Sequence, residues 1–190
     1  MDMGKAALVV IDMVKDNLAN PESNLVAREA EAIIPVINGL AADFRQRSWP
    51  VIYASDSFLE GDFIFGGKMA PHAIRGTAGA EVTDALSREA GDIILPKRRF
   101  SAFFKTDLDQ TLRTLKVDTV VVCGITSTFC VLATAFDSLC HDFRTIIVED
   151  GSCAHKAEVH QTLLGFYRNN PLYPLFQISP ANEVFERIDS

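Results

Sequence analysis

Short, unbroken apolar runs recur along this chain, and stretches of helical spacing separate most of them. Ala7-Leu8-Val9-Val10-Ile11 is one such run. Val51-Ile52-Tyr53-Ala54, Asp92-Ile93-Ile94-Leu95, Thr119-Val120-Val121-Val122-Cys123 and Arg144-Thr145-Ile146-Ile147-Val148 follow it. A strand with one wet face alternates apolar and polar residues. These runs do not, so they read as strands buried on both faces. Between the first two, Val26, Ala30, Ile33, Ile34, Val36, Ile37 and Leu40 recur at helical spacing.

Further helices are expected over residues 79–89, over 106–115 with Thr106 as N-cap, from Cys130 to about Cys140-His141, over 157–167, and briefly over 182–187. A sixth strand is expected over 173–178, and Pro96 should stop the third. Alternating strands and helices predict a three-layer α/β/α fold with a mainly parallel six-stranded sheet, Rossmann-like in its winding. No Pro/Gly/Ser linker or repeat divides the chain, so one domain over residues 1–190 is expected.

Composition excludes several functions. The chain is 48% hydrophobic and 23% charged, with a net charge of −7. Its densest basic cluster, Lys97-Arg98-Arg99, is too short to track phosphates, so nucleic acid is not an expected partner. No apolar run is long enough to span a bilayer, and the N-terminus lacks the regions of a signal peptide. A cytoplasmic location and no membrane partner are therefore expected. The cysteines, Cys123, Cys130, Cys140 and Cys153, form no C-x-x-C pair, and structural disulfides are not expected.

Parallel sheets of this kind bind ligands beyond the carboxyl ends of their strands. That rule selects Asp12, Asp56, Lys97, the turn from Gly124 to Cys130, and Glu149-Asp150. Taken singly, Asp12 could cap a strand, Lys97 could be solvated and Cys130 could be a core thiol. On one rim they become a proton acceptor, a cation and a nucleophile. Cys130 also falls at a helix start, where unpaired N–H groups favour a thiolate and can hold an oxyanion. A depressed thiol pKa is the corresponding expectation.

Four segments carry a family resemblance that runs nearly end to end. They are Leu8-Val9-Val10-Ile11-Asp12-Met13, residues 71–80 (PHAIRGTAGA), residues 97–103 (KRRFSAF), and Cys123-Gly124-Ile125 through Cys130-Val131-Leu132-Ala133-Thr134-Ala135. The chain resembles the isochorismatase-like cysteine hydrolase superfamily, which includes nicotinamidases, N-carbamoylsarcosine amidases and ureidoacrylate amidases. The resemblance implies a catalytic triad of Asp12, Lys97 and Cys130. It also implies a cis peptide at Ile125–Thr126 and an oxyanion hole from the N–H groups of Thr126 and Cys130. The implied activity is hydrolysis of a small-molecule C–N amide or ureido bond, on a linear or small aromatic amide, through a Cys130 thioester. Asp12 would be general base and acid, and Lys97 the electrostatic stabiliser. Two alternatives stay open: vinyl-ether hydrolysis without a covalent intermediate, as in true isochorismatases, and a non-catalytic ligand-binding or scaffold protein. Family members usually self-associate, so a homo-oligomer is expected.

Nicotinamidases add a metal site built on an Asp-x-His pair and a later His. Here the pair reads Asp56-Ser57-Phe58, and His72 takes the later position. Asp56 and His72 alone fall short of the three protein ligands of a catalytic zinc, so no metal or other cofactor is expected. Phe58, Phe63, Phe65 and Phe103 are candidates for an apolar pocket, and Arg75, Arg98 and Arg99 for a substrate carboxylate. His155 and His160 are expected at the surface, Cys123 and Cys140 in packing, and Cys153 near the rim.

Overall fold

The computed structural model describes residues 5–189; residues 1–4 and Ser190, which the expected single domain and the reading of the N-terminus include, lie outside the described residues. The chain runs β1 (Ala6–Ile11), α1 (Leu25–Gln46), β2 (Val51–Asp56), β3 (Ile93–Lys97), α2 (Leu108–Thr114), β4 (Thr119–Ile125), α3 (Cys130–Cys140), β5 (Arg144–Cys153), α4 (Ala157–Tyr167), β6 (Phe176–Ser179) and α5 (Val184–Ile188). The six strands form one sheet in the order β3-β2-β1-β4-β5-β6. Every neighbouring pair is parallel.

The apolar runs have a direct physical cause. Successive strand residues point to opposite faces. Leu8 and Val10 join a core with Ile37 and Phe44 of α1 and Ile188 of α5. Ala7, Val9 and Ile11 join a second core with Leu112 of α2, Val131 of α3 and Leu164 of α4. Helices therefore cover both faces, giving the expected three layers. No helix among the described residues is long and apolar enough to cross a membrane.

Strand order reverses between β1 and β4, since β2 and β3 lie on one side and β5 and β6 on the other. That switch point opens a crevice at the carboxyl ends of the two central strands. Gly124 is required there. Its φ is +106°, and a Cβ would lie 2.3 Å from the Ile11 carbonyl oxygen.

Several boundaries differ from the sequence reading. Residues 79–89 form no α-helix; the segment begins with a short 3₁₀ turn, Ala78–Ala80, and is otherwise irregular. Its backbone is committed elsewhere. Val82 bridges Val14 in antiparallel fashion. Lys15 N–H donates to Glu81 O at 2.9 Å, and Thr83 N–H to Met13 O at 2.9 Å. These long-range bonds override local helix propensity. Pro96 lies inside β3 rather than ending it, which an edge strand tolerates because its outer side needs no N–H donor. β4 and β5 run further than expected, and β6 starts later, at Phe176.

Candidate active site

Four of the six strand ends, those of β1 to β4, each deliver one component. β1 delivers Asp12, which adopts φ 55°, a left-handed conformation that Asp tolerates better than most residues. Its N–H donates to Ala54 O at 2.9 Å. Its Oδ1 accepts the Asp56 backbone N–H at 2.8 Å. β2 ends on Asp56 and β3 on Lys97, and these are register partners.

The Lys97 side chain is fully buried. Its Nζ donates to Asp56 Oδ1 at 2.7 Å and to the Arg99 carbonyl at 3.1 Å. It also stands 2.8 Å from Asp12 Oδ2. The Cys130 side chain is within hydrogen-bonding reach of the same carboxyl.

β4 delivers the turn that leads into α3. The Ile125–Thr126 peptide bond is cis. Thr126 O accepts from Phe129 N–H at 3.1 Å and from Val131 N–H at 3.2 Å. Among the described residues no acceptor meets the Thr126 or Cys130 N–H, so both donors remain open.

Electrostatics depart from the expected low-pKa thiol. Burial, the Asp12 carboxyl and Asp56 push the Cys130 thiol well above its ordinary range, and Lys97 only partly offsets them. Burial, and then the neighbouring Asp56 carboxylate, raise Asp12 from 3.8 to about 7, against the pull of Lys97. Burial lowers the Lys97 pKa, but Asp12, Cys130 and Asp56 outweigh it and hold Lys97 above its ordinary value. The cluster therefore holds a buried cation between two carboxyls, with a neutral thiol beside a carboxylate of unusual basicity.

Asp56 thus partners Lys97 rather than standing apart as a metal candidate. His72 turns its Nδ1 to the Ala70 carbonyl, at 2.9 Å. Its ring packs edge-on against Phe58 and Phe65, with centroids 5.4 and 5.8 Å away. Among the described residues no three His, Cys, Asp or Glu side chains gather as a metal would need. With one oxygen of Asp56 taken by Lys97 and an aromatic ring at position 58, the donor set does not fit zinc.

A cavity of about 490 Å³ opens onto Asp12, Thr126 and Cys130. Its size suits a small ligand. Of the aromatic candidates, Phe58 lines it, and Phe65 packs behind Phe58 at 5.2 Å without reaching the lining. Phe63 is 85% exposed and lies outside the lining. Phe103 lies in the α2–α4 core, stacked on His141 at 5.0 Å, because its neighbour Ala102 is pinned by Thr134. Phe100 and Phe129, absent from the candidates, line the cavity and pair at 5.7 Å. Their positions beside the Lys97 and Cys130 segments were the available signal.

Arg99 lines the cavity while donating to Asp62 at 3.0 Å; Arg98 also pairs with Asp62, and Arg75 donates to Ser57. His160 is buried, not at the surface. Cys140 is exposed, and Cys123 and Cys153 are buried.

Comparison with known proteins fits this geometry. A family model described as the isochorismatase domain matches residues 6–173. A maleamate amidohydrolase from Pseudomonas putida is 31% identical over 166 residues, covering 84% of this chain and 78% of that protein. A protein described as a "probable inactive nicotinamidase" from Arabidopsis thaliana is 30% identical over 164 residues, covering 81% of this chain and 83% of its own. The crystal structure of N-carbamoylsarcosine amidase from Thermoplasma acidophilum superposes with a TM-score of 0.79 at 32% identity, covering 94% of this chain and 98% of that one.

Proposed function

The chain belongs to the isochorismatase family, with amidohydrolases among its relatives, and from that premise we propose that it hydrolyses a C–N amide or ureido bond of a small molecule through a Cys130 thioester. One observation carries the reading. Asp12 is buried, is held at raised basicity beside the Lys97 ammonium, and has the Cys130 thiol within its reach on the wall of the same cavity.

The raised thiol pKa means that a free thiolate does not wait in the resting site. Deprotonation accompanies attack instead. The S–H proton passes to Asp12 as sulfur bonds to the substrate carbonyl carbon. The carbonyl π pair moves onto oxygen, where the open N–H groups of Thr126 and Cys130 can receive it. Lys97 holds the negative charge of the cluster in place throughout. Asp12, now protonated, gives its proton to the nitrogen as the C–N bond breaks. Water then loses a proton to Asp12 and attacks the thioester. The C–S bond breaks, and the thiolate recovers the proton from Asp12. A carboxylic acid near pKa 7 suits both directions of transfer at neutral pH. No step requires a metal.

The test combines an amide panel with mass spectrometry. Maleamate, nicotinamide, N-carbamoyl amino acids and ureidoacrylate are offered to the unaltered enzyme and to Cys130→Ala. Hydrolysis by the unaltered enzyme alone, with an acyl adduct on the Cys130 peptide, is expected. Equal rates in both proteins would exclude the covalent route. Turnover of a vinyl ether without any adduct would favour the isochorismatase reaction, and binding without turnover a scaffold.

A further inference from the structure

The turn that offers Thr126 N–H must hold its shape while charge develops beside it, and one buried histidine braces it. Ser127 follows Thr126 and is 1% exposed. Its N–H donates to Cys153 O of β5 at 2.8 Å. Its hydroxyl lies 3.0 Å from Nδ1 of His160. His160 stands in the first turn of α4, and its Nε2 lies 3.0 Å from the Glu149 carbonyl of β5.

These partners assign the protons. A backbone carbonyl can only accept, so Nε2 carries the ring hydrogen. In the neutral ring Nδ1 is then an acceptor, and the Ser127 hydroxyl donates to it. Burial lowers the His160 pKa, in keeping with a neutral ring. Both ring nitrogens are thereby used, and neither faces the cavity, whose lining excludes His160. The anchor end is held in turn: Arg168, just after α4, pairs with the Glu149 carboxylate.

We propose that His160 is a positioning residue for acyl transfer, acting through Ser127 to hold the Thr126 N–H where the oxyanion forms. This rests on the amidase reading above. A solvated loop could relax away from the developing charge. A turn tied to β5 at Cys153 and, through His160, at Glu149 has little freedom to do so. The expected signature is a loss in the chemical step with substrate binding preserved.

Ser127→Ala removes only a buried hydroxyl, and His160→Gln keeps a donor for the Glu149 carbonyl while shifting the acceptor. On an amide that the unaltered enzyme hydrolyses, each should lower kcat by about tenfold to a hundredfold with KM within about twofold. The double variant should be no worse than the poorer single one, because both cut the same tether. Alkylation of Cys130 by iodoacetamide supplies the control. It displaces iodide at a saturated carbon and builds no oxyanion, so its rate should stay within about twofold. Unchanged kcat in Ser127→Ala, or parallel losses in kcat and alkylation, would overturn the brace and leave the amidase reading standing. No hydrolysis and no Cys130 acyl adduct in the unaltered enzyme would overturn both.

Discussion

Lys97 and Asp56 sit opposite one another at the ends of neighbouring strands, and their side chains meet at 2.7 Å. The same ammonium stands 2.8 Å from Asp12. One buried cation thus serves two carboxyls, which leaves the cluster an excess of negative charge when both are ionised. Burial, and then that excess, raise the basicity of Asp12.

Asp56→Asn should therefore shift the acid limb of the pH–rate profile. Asp12 must be ionised to accept the thiol proton, so kcat/KM of the unaltered enzyme should rise with pH through about 7. Removing the Asp56 charge lowers the Asp12 pKa and should move that limb to lower pH. The apparent value belongs to the coupled cluster. An unmoved limb would show that Asp56 does not set the basicity of Asp12.

Lys97→Met should cost both activity and stability. It leaves two carboxyls buried together without their cation, which typically destabilises by about 3–5 kcal/mol. The loss should be larger at pH 8 than at pH 5, because protonation neutralises the stranded carboxylates. Urea unfolding at the two pH values measures the difference.

Asp12 should impose a slope on stability against pH. Its folded pKa, about 7, lies above its ordinary 3.8, so between these values the native state binds more protons than the unfolded one. Its contribution to unfolding free energy then falls as pH rises through that window and levels off above it. Asp12→Asn should lack this component of the slope. Comparing urea midpoints of the two proteins from pH 4 to pH 8 tests the sign.

Thiol labelling should follow exposure. Cys140 is exposed, while Cys123, Cys130 and Cys153 are buried. At neutral pH iodoacetamide should modify Cys140 first, with Cys130 slow because its proton is firmly held. Slow labelling of Cys130 is thus compatible with an active enzyme. Peptide mapping over a time course reads the order, and rapid modification of Cys130 would contradict the raised pKa.

Much of the framework was legible because burial on both faces leaves its mark on each strand directly. Ala7 to Ile11 could be read as a central strand without knowing its neighbours, and so Asp12 could be placed on the rim. Residues 79–89 could not be read correctly. Their backbone partners, Met13 to Asp16, lie far away in sequence, and nothing local records that pairing. Phe103 was misplaced for the same reason: Thr134 and His141, which draw its segment into the core, belong to α3 and its C-terminal cap.

The succession of the six strands along the chain, the segments that carry Asp12, Lys97 and Cys130, and the family these segments resemble are written in the local sequence. Tertiary structure alone decided that Asp56 shares Lys97, that the Cys130 thiol keeps its proton, and that His160 is buried behind the turn. The division has one physical reason. A strand's burial is written in its own residues, whereas a charge state or a hydrogen bond depends on neighbours that only strand register and helix packing bring within reach.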